Sequence, residues 1–140
     1  MDKIRLEHLT KKFGEVPAVD DLNLTVRDKD FVVLLGPSGC GKTTTLRLIA
    51  GLEFPTEGKV IMNEEDITHV HPKNRKMSMV FQSYALYPHM TAFDNIAFPL
   101  KIKKLRSDEI QKKVREVAEL LNIEDFLRRK PKELSGGERQ

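Results

Sequence analysis

Between residues 31 and 51 the sequence runs from an apolar stretch, through a loop with three glycines, into a second apolar stretch that ends on glycine. No other feature limits the fold as tightly. Phe31-Val32-Val33-Leu34-Leu35 has two adjacent β-branched residues and reads as a buried parallel strand. Thr45 to Ala50 reads as a helix start, closed by Gly51 at a C-terminal cap. The loop between them, Gly36-Pro37-Ser38-Gly39-Cys40-Gly41-Lys42-Thr43-Thr44, fits the pattern G-x-x-x-x-G-K-[ST]. Strand, glycine loop and helix together are the context this pattern requires.

The residue types explain what such a loop does. Gly36, Gly39 and Gly41 reach backbone conformations closed to other residues, so main-chain N–H groups can turn inward. With the following helix N-terminus they form a nest for the phosphates of a nucleotide. Lys42 supplies a point charge for the β- and γ-phosphates, the Thr43 hydroxyl suits Mg²⁺, and Thr44 is a further phosphate donor. The plainer alternative is a turn that merely joins strand to helix. Cys40 is the only cysteine, which excludes an internal disulfide framework and fits a reducing compartment. It reads as a small side chain at a tolerant loop position rather than as an oxidation-sensitive site.

The chain has 140 residues, enough for one domain with a real core. Its net charge of +3 and 32% charged residues describe an ordinary solvated surface. No concentrated basic run, and no groove of interleaved basic and aromatic residues, points to nucleic acid. No apolar run approaches membrane-spanning length, and the start of the sequence does not read as a signal peptide.

Ahead of the loop, Ile4, Leu6 and His8 alternate with Arg5 and Glu7, and Leu22, Leu24 and Val26 with Asn23 and Thr25. Each predicts a half-exposed strand, and together a small antiparallel sheet beside a parallel core. Leu9 to Gly14 reads as a strand end and turn. After the first helix, residues 54–58 form a turn, Lys59 to Met62 a short strand, and Asn63-Glu64-Glu65-Asp66 an acidic turn. His69 and His71 lack the further ligands a structural metal needs. Met77 to Phe81 predicts another apolar strand, ending at Gln82, followed by an aromatic-rich loop with Tyr84 and Tyr87. Thr91 is expected to cap a short helix, and Ser107 a longer one with Ile110, Val114, Val117 and Leu121 on its apolar face. Residues 123–127 form a shorter helical piece.

The sequence closes on Leu134-Ser135-Gly136-Gly137-Glu138-Arg139-Gln140. This stretch resembles the LSGGQ signature of ABC-type ATPases, with Glu138 where glutamine is usual. Together with the loop from Gly36 and with Gln82 between them, the resemblance runs from Ile4 to Gln140. Residues 80–100 look most like the importer ATPases for sugars, with polyamine-type importers close behind. The resemblance implies an α/β fold: an incomplete P-loop NTPase core with an N-terminal antiparallel β-subdomain over about residues 1–90, then a helical subdomain over about 91–140. It implies ATP and Mg²⁺ as cofactors. Phe13 matches the aromatic that stacks on adenine, against the alternative of a core filler. Gln82 matches the glutamine that reaches Mg²⁺ and the attacking water. Ser135, Gly136 and Gly137 match the residues that face the γ-phosphate of a second subunit, where the local alternative is an ordinary helix cap.

The family's implied partners are a second ATPase subunit and transmembrane permease subunits, with the chain cytoplasmic and peripheral on the inner face of the cell membrane. The family's catalytic Glu, its Mg²⁺-related Asp and its switch His fall after the signature and are not among these residues. The expectation is an N-terminal fragment or truncated reading frame that binds nucleotide weakly and hydrolyses ATP negligibly. A non-hydrolysing nucleotide-binding remnant and a non-transport ABC ATPase are the alternatives.

Overall fold

Residues 2–139 are described in a computed structural model of the chain; Met1 and Gln140 lie outside the described residues. The chain divides into two compact units, residues 1–79 and 80–140.

In the first unit, β1 (Asp2–Phe13) and β2 (Val16–Arg27) form an antiparallel hairpin around Gly14-Glu15. β3 (Glu57–Met62) pairs with the other edge of β1, and the two-residue β4 (Glu65–Asp66) folds back on β3. The sheet order is β2-β1-β3-β4. The turn into β4 uses Asn63 and Glu64, both with positive φ, as a tight hairpin requires.

The strands are longer than the sequence suggests, because a bulge resets the pleat. Simple alternation would turn His8 inward after Leu6. A register shift between Leu6 and Leu9, with His8 at φ 48, instead leaves His8 exposed and fully buries Leu9. Asp21, opposite the bulge, also has positive φ and meets His8 Nδ1 at 2.7 Å. Strand pairing therefore continues to Phe13, where a strand end was expected from Leu9.

The core joins Leu6, Leu9, Val19, Val60 and Ile67 to Leu48 of helix α1 (Lys42–Ala50). Each such aliphatic side chain contributes about 1.5–3 kcal/mol on burial. Helix α1 closes as expected on Gly51, at φ 75, whose N–H returns to the carbonyls of the last turn.

Two expected strands are absent. Phe31 to Leu35 forms no strand, with Phe31 93% and Leu35 87% exposed. Met77 to Phe81 likewise forms no strand, and Val80 is 93% exposed. A parallel strand exists only through hydrogen bonds to neighbours, and among the described residues neither run has one.

The second unit is helical. Thr91 caps α2 (Ala92–Ile102), its hydroxyl accepting from the Asp94 N–H at 3.1 Å. Helix α3 (Ser107–Leu121) begins one residue earlier than expected: Arg106 holds the cap position and its N–H donates to Glu109. Ile110, Val114 and Ala118 form the buried stripe of α3. Val117 and Leu121, expected on that face, border an open cavity of about 350 Å³ instead. The stripe has turned toward the small Ala118. The last helix, α4 (Gly136–Arg139), is a single turn.

Candidate functional site

The glycine loop sits at the N-terminus of α1. Its N-cap, Gly41, has φ 89 and lies so close to β2 that a Cβ there would overlap the Ala18 carbonyl oxygen. Any other residue at 41 would push the loop off the sheet. Helix geometry leaves the first N–H groups of α1 without intrahelical acceptors. Among the described residues the N–H groups of Gly39, Gly41, Lys42, Thr43 and Thr44 meet no acceptor, and the first bond of α1 runs from Thr45 N–H to Gly41 O at 2.8 Å. Several inward-facing donors beside a helix N-terminus make a receptor for an anion.

The Lys42 ammonium folds back over this loop. It donates to Gly36 O at 2.8 Å and Pro37 O at 2.6 Å, with Cys40 Sγ at 3.4 Å. Its acceptors are neutral, and a phosphate oxygen is a stronger one. Ser38, Thr43 and Cys40 are exposed, and the Thr43 hydroxyl has no partner among the described residues. A cavity of about 520 Å³ opens beside the loop, bordered by Ala18, Val19, Lys42 and Thr45. The loop fits a nucleotide's phosphates: donors without acceptors, one cation and open space meet there.

Phe13 stands at the end of β1, 52% exposed, with Lys11 Nζ 5.0 Å from its ring centroid. Phe13 is therefore half exposed rather than packed in the core. Gln82 belongs to the second unit, where it begins an exposed turn. Beyond it, Asn95 organises the aromatic loop. Its side chain accepts from Tyr87 N–H at 2.8 Å and donates to Tyr87 O and Thr91 O at 3.2 and 2.9 Å.

Ser135, Gly136 and Gly137 are exposed at the start of α4, and a Cβ on either glycine would meet nothing within 4 Å. Glu138 closes a capping box: its carboxylate accepts from Ser135 N–H at 2.6 Å, and Ser135 Oγ accepts from Glu138 N–H at 3.3 Å. Hydrogen bonding to the carboxylate from the Ser135 side chain, then from the Ser135 N–H, holds Glu138 below its usual pKa. The charge at 138 is thus turned back onto the local backbone.

Comparison with known proteins decides the family. The ABC transporter family model matches residues 19–140. The chain belongs to the ABC transporter family. It is 58% identical along its full length to the trehalose/maltose import ATP-binding protein MalK of Thermococcus litoralis, covering 39% of that protein. Against the oligosaccharides import ATP-binding protein MsmX of Bacillus subtilis it is 53% identical over its full length, again covering 39%. Among solved structures it resembles the dimeric ATP-binding cassette MJ0796 in a post-hydrolysis state with ADP and Pi. There the TM-score is 0.84 and identity 33%, over 97% of this chain and 65% of that one. The chain spans about two fifths of the length of the curated relatives it matches. The ABC cassette fold expected from the motifs is therefore present, with its antiparallel and helical parts formed. No helix among the described residues is long and apolar enough to cross a membrane.

Sequence reasoning passed over a buried arginine at the end of α1 opposite the loop. Arg75 is completely buried and, among the described residues, has no carboxylate partner; its guanidinium donates to four backbone carbonyls. Burial pushes its pKa below the ordinary arginine value. Nothing in Asn74-Arg75-Lys76 distinguishes this arginine from solvated neighbours, since burial of a charge leaves no compositional trace.

Proposed function

We propose that this chain is the ATP-binding part of an importer subunit, coupling nucleotide binding and hydrolysis in a dimer to uptake of a carbohydrate. The observation that carries it is the cluster of acceptor-free N–H groups around Lys42 at the head of α1. In this reading Gly36, Pro37, Ser38, Gly39, Cys40 and Gly41 wrap the phosphates, and Lys42 exchanges its two carbonyl partners for phosphate oxygens. Thr43, Thr44 and Gln82 serve the phosphates and Mg²⁺, and Phe13 stacks on the base. Bound Mg²⁺ supplies charge neutralisation at the phosphates. Ser135, Gly136 and Gly137 offer a hydroxyl and N–H groups to the nucleotide of a second copy, as the dimeric neighbour suggests.

The carbohydrate assignment is supported by what the relatives' names say they import. Permease subunits and a place on the inner face of the membrane follow from that assignment. On its own the 140-residue chain is proposed to bind nucleotide with negligible turnover, because no group for activating water stands among the residues the family resemblance assigns here. The test is ADP binding and ATP turnover of the purified chain and of Lys42→Ala. Binding is expected in the wild type and is expected to fall at least about tenfold in the variant, as a charge-assisted contact is lost. Equal binding by both would overturn the loop assignment, and turnover near one per second or above would overturn the inactivity.

A further inference from the structure

Helix α1 is held at both ends, and the distal hold is made by one side chain. At the N-terminal end, Gly41 lies against the Ala18 carbonyl of β2. At the C-terminal end, Arg75 Nη1 donates to Leu48 O and Ile49 O, each at 2.8 Å. These carbonyls lie in the last turn of the helix, where intrahelical donors run out and the dipole is negative. The same guanidinium reaches away from the helix, from Nε to Val70 O and from Nη2 to Thr68 O, each at 2.8 Å. Thr68 is tied to the sheet, its hydroxyl accepting from Val60 N–H of β3 at 3.0 Å. One planar group thereby links sheet, connector and helix end. Gly51 makes room for it: a Cβ there would overlap Arg75 Nε.

A buried charge without a carboxylate is costly, and a hydrophobe of like volume is often as stable or more so. What a hydrophobe cannot do is satisfy four carbonyls in one plane. Lysine offers three donors from a single point and cannot span them either. The helix so fixed is nine residues long, about 14 Å at 1.5 Å per residue. Its far end carries Lys42 and the acceptor-free N–H groups.

We propose that Arg75 is a positioning residue for nucleotide binding: by clamping the C-terminal end of α1 it sets where the N–H groups of Lys42 to Thr44 meet a phosphate. The inference rests on the nucleotide reading above. A small displacement of a preorganised site costs binding and rate out of proportion to its size.

The experiment measures ADP affinity by calorimetry and amide exchange at residues 42–45 on the full chain. It compares wild type, Arg75→Lys and Val60→Ala. Val60→Ala is the control: it removes fully buried packing from β3 without touching the carbonyls of α1. Arg75→Lys is expected to weaken ADP binding about tenfold and to speed exchange at residues 42–45. Val60→Ala, though destabilised, is expected to stay within about twofold of wild-type affinity. Wild-type ADP affinity in Arg75→Lys, or an equal loss in both variants, overturns the role of Arg75. A wild-type chain that does not bind ADP overturns the nucleotide reading itself. Should Arg75→Lys fail to fold, Gly51→Ala takes its place, keeping the arginine but displacing the guanidinium, and the same criteria apply. If neither variant folds, Arg75 is a folding residue and the proposal falls.

Discussion

Leu9 and Leu35 are the same residue with opposite fates. Leu9 is fully buried in β1, which pairs on one edge with β2 and on the other with β3. Leu35 stands at the end of a run at least as apolar and is 87% exposed. Local β-propensity does not separate the two segments; hydrogen-bonded neighbours do. A strand is a relation between segments: pairing places it in a sheet, and packing on the sheet's face buries its hydrophobic residues, as with Val19 of the edge strand β2.

The largest effect that can break this contrast is a pair of truncations. Leu9→Ala is expected to cost about 3 kcal/mol, within the range for large-to-small substitutions in a core. Leu35→Ala is expected to change stability by no more than about 0.5 kcal/mol, as for exposed positions generally. Urea unfolding of both variants is the measurement. A large cost at Leu35 would mean that the run from Phe31 is covered in solution.

The same contrast explains what was legible in the sequence. The β1–β2 hairpin, helix α1 with its Gly51 cap, and the Thr91 cap depend on residues close by in the chain, and their patterns are plain; β3 was legible too, although its partner β1 lies far away in the chain. The glycine loop was legible because its pattern lies in consecutive residues. The runs at 31–35 and 77–81 were misread because alternation and β-branching report a preference, whereas pairing depends on distant segments. The bulge at His8 was invisible because strand periodicity presumes an unbroken pleat. Arg75 was missed for a related reason: four carbonyl partners from two segments leave no local pattern. Glu138 looked like a departure from the motif, and the structure gives it a local task in the capping box with Ser135.

A middle-sized effect sharpens the comparison between the two helix starts. Helix α1 begins on Gly41 with no side-chain cap, leaving its donors open, whereas α2 begins on Thr91, whose hydroxyl satisfies the Asp94 N–H. Thr91→Ala is expected to cost about 1 kcal/mol, the usual loss for a capping threonine. Thermal unfolding followed by circular dichroism checks it. An unchanged melting curve would show that the Thr91 cap contributes nothing to stability.

The smallest effect concerns charge at that same start. Asp94 accepts from Lys101 Nζ at 2.8 Å and from the Thr91 hydroxyl at 2.8 Å. The hydrogen bond from Lys101, then that from Thr91, holds its carboxyl below the ordinary value of 3.8. A depressed folded pKa contributes stability that is fully present above the unfolded value and is lost as pH falls through the folded one. The pair is partly exposed, with 40% of the Asp94 side chain and 51% of Lys101 open to solvent, so screening keeps its contribution small. Lys101→Met removes the strongest cause of the shift. The stability difference between wild type and Lys101→Met is therefore expected to be constant from about pH 7 to about pH 5 and to shrink toward zero as acid protonates Asp94. Urea midpoints of both proteins across that range and down to about pH 2 test it. A difference that persists at the acid end would show that Lys101 acts through packing of its stem rather than through the carboxylate.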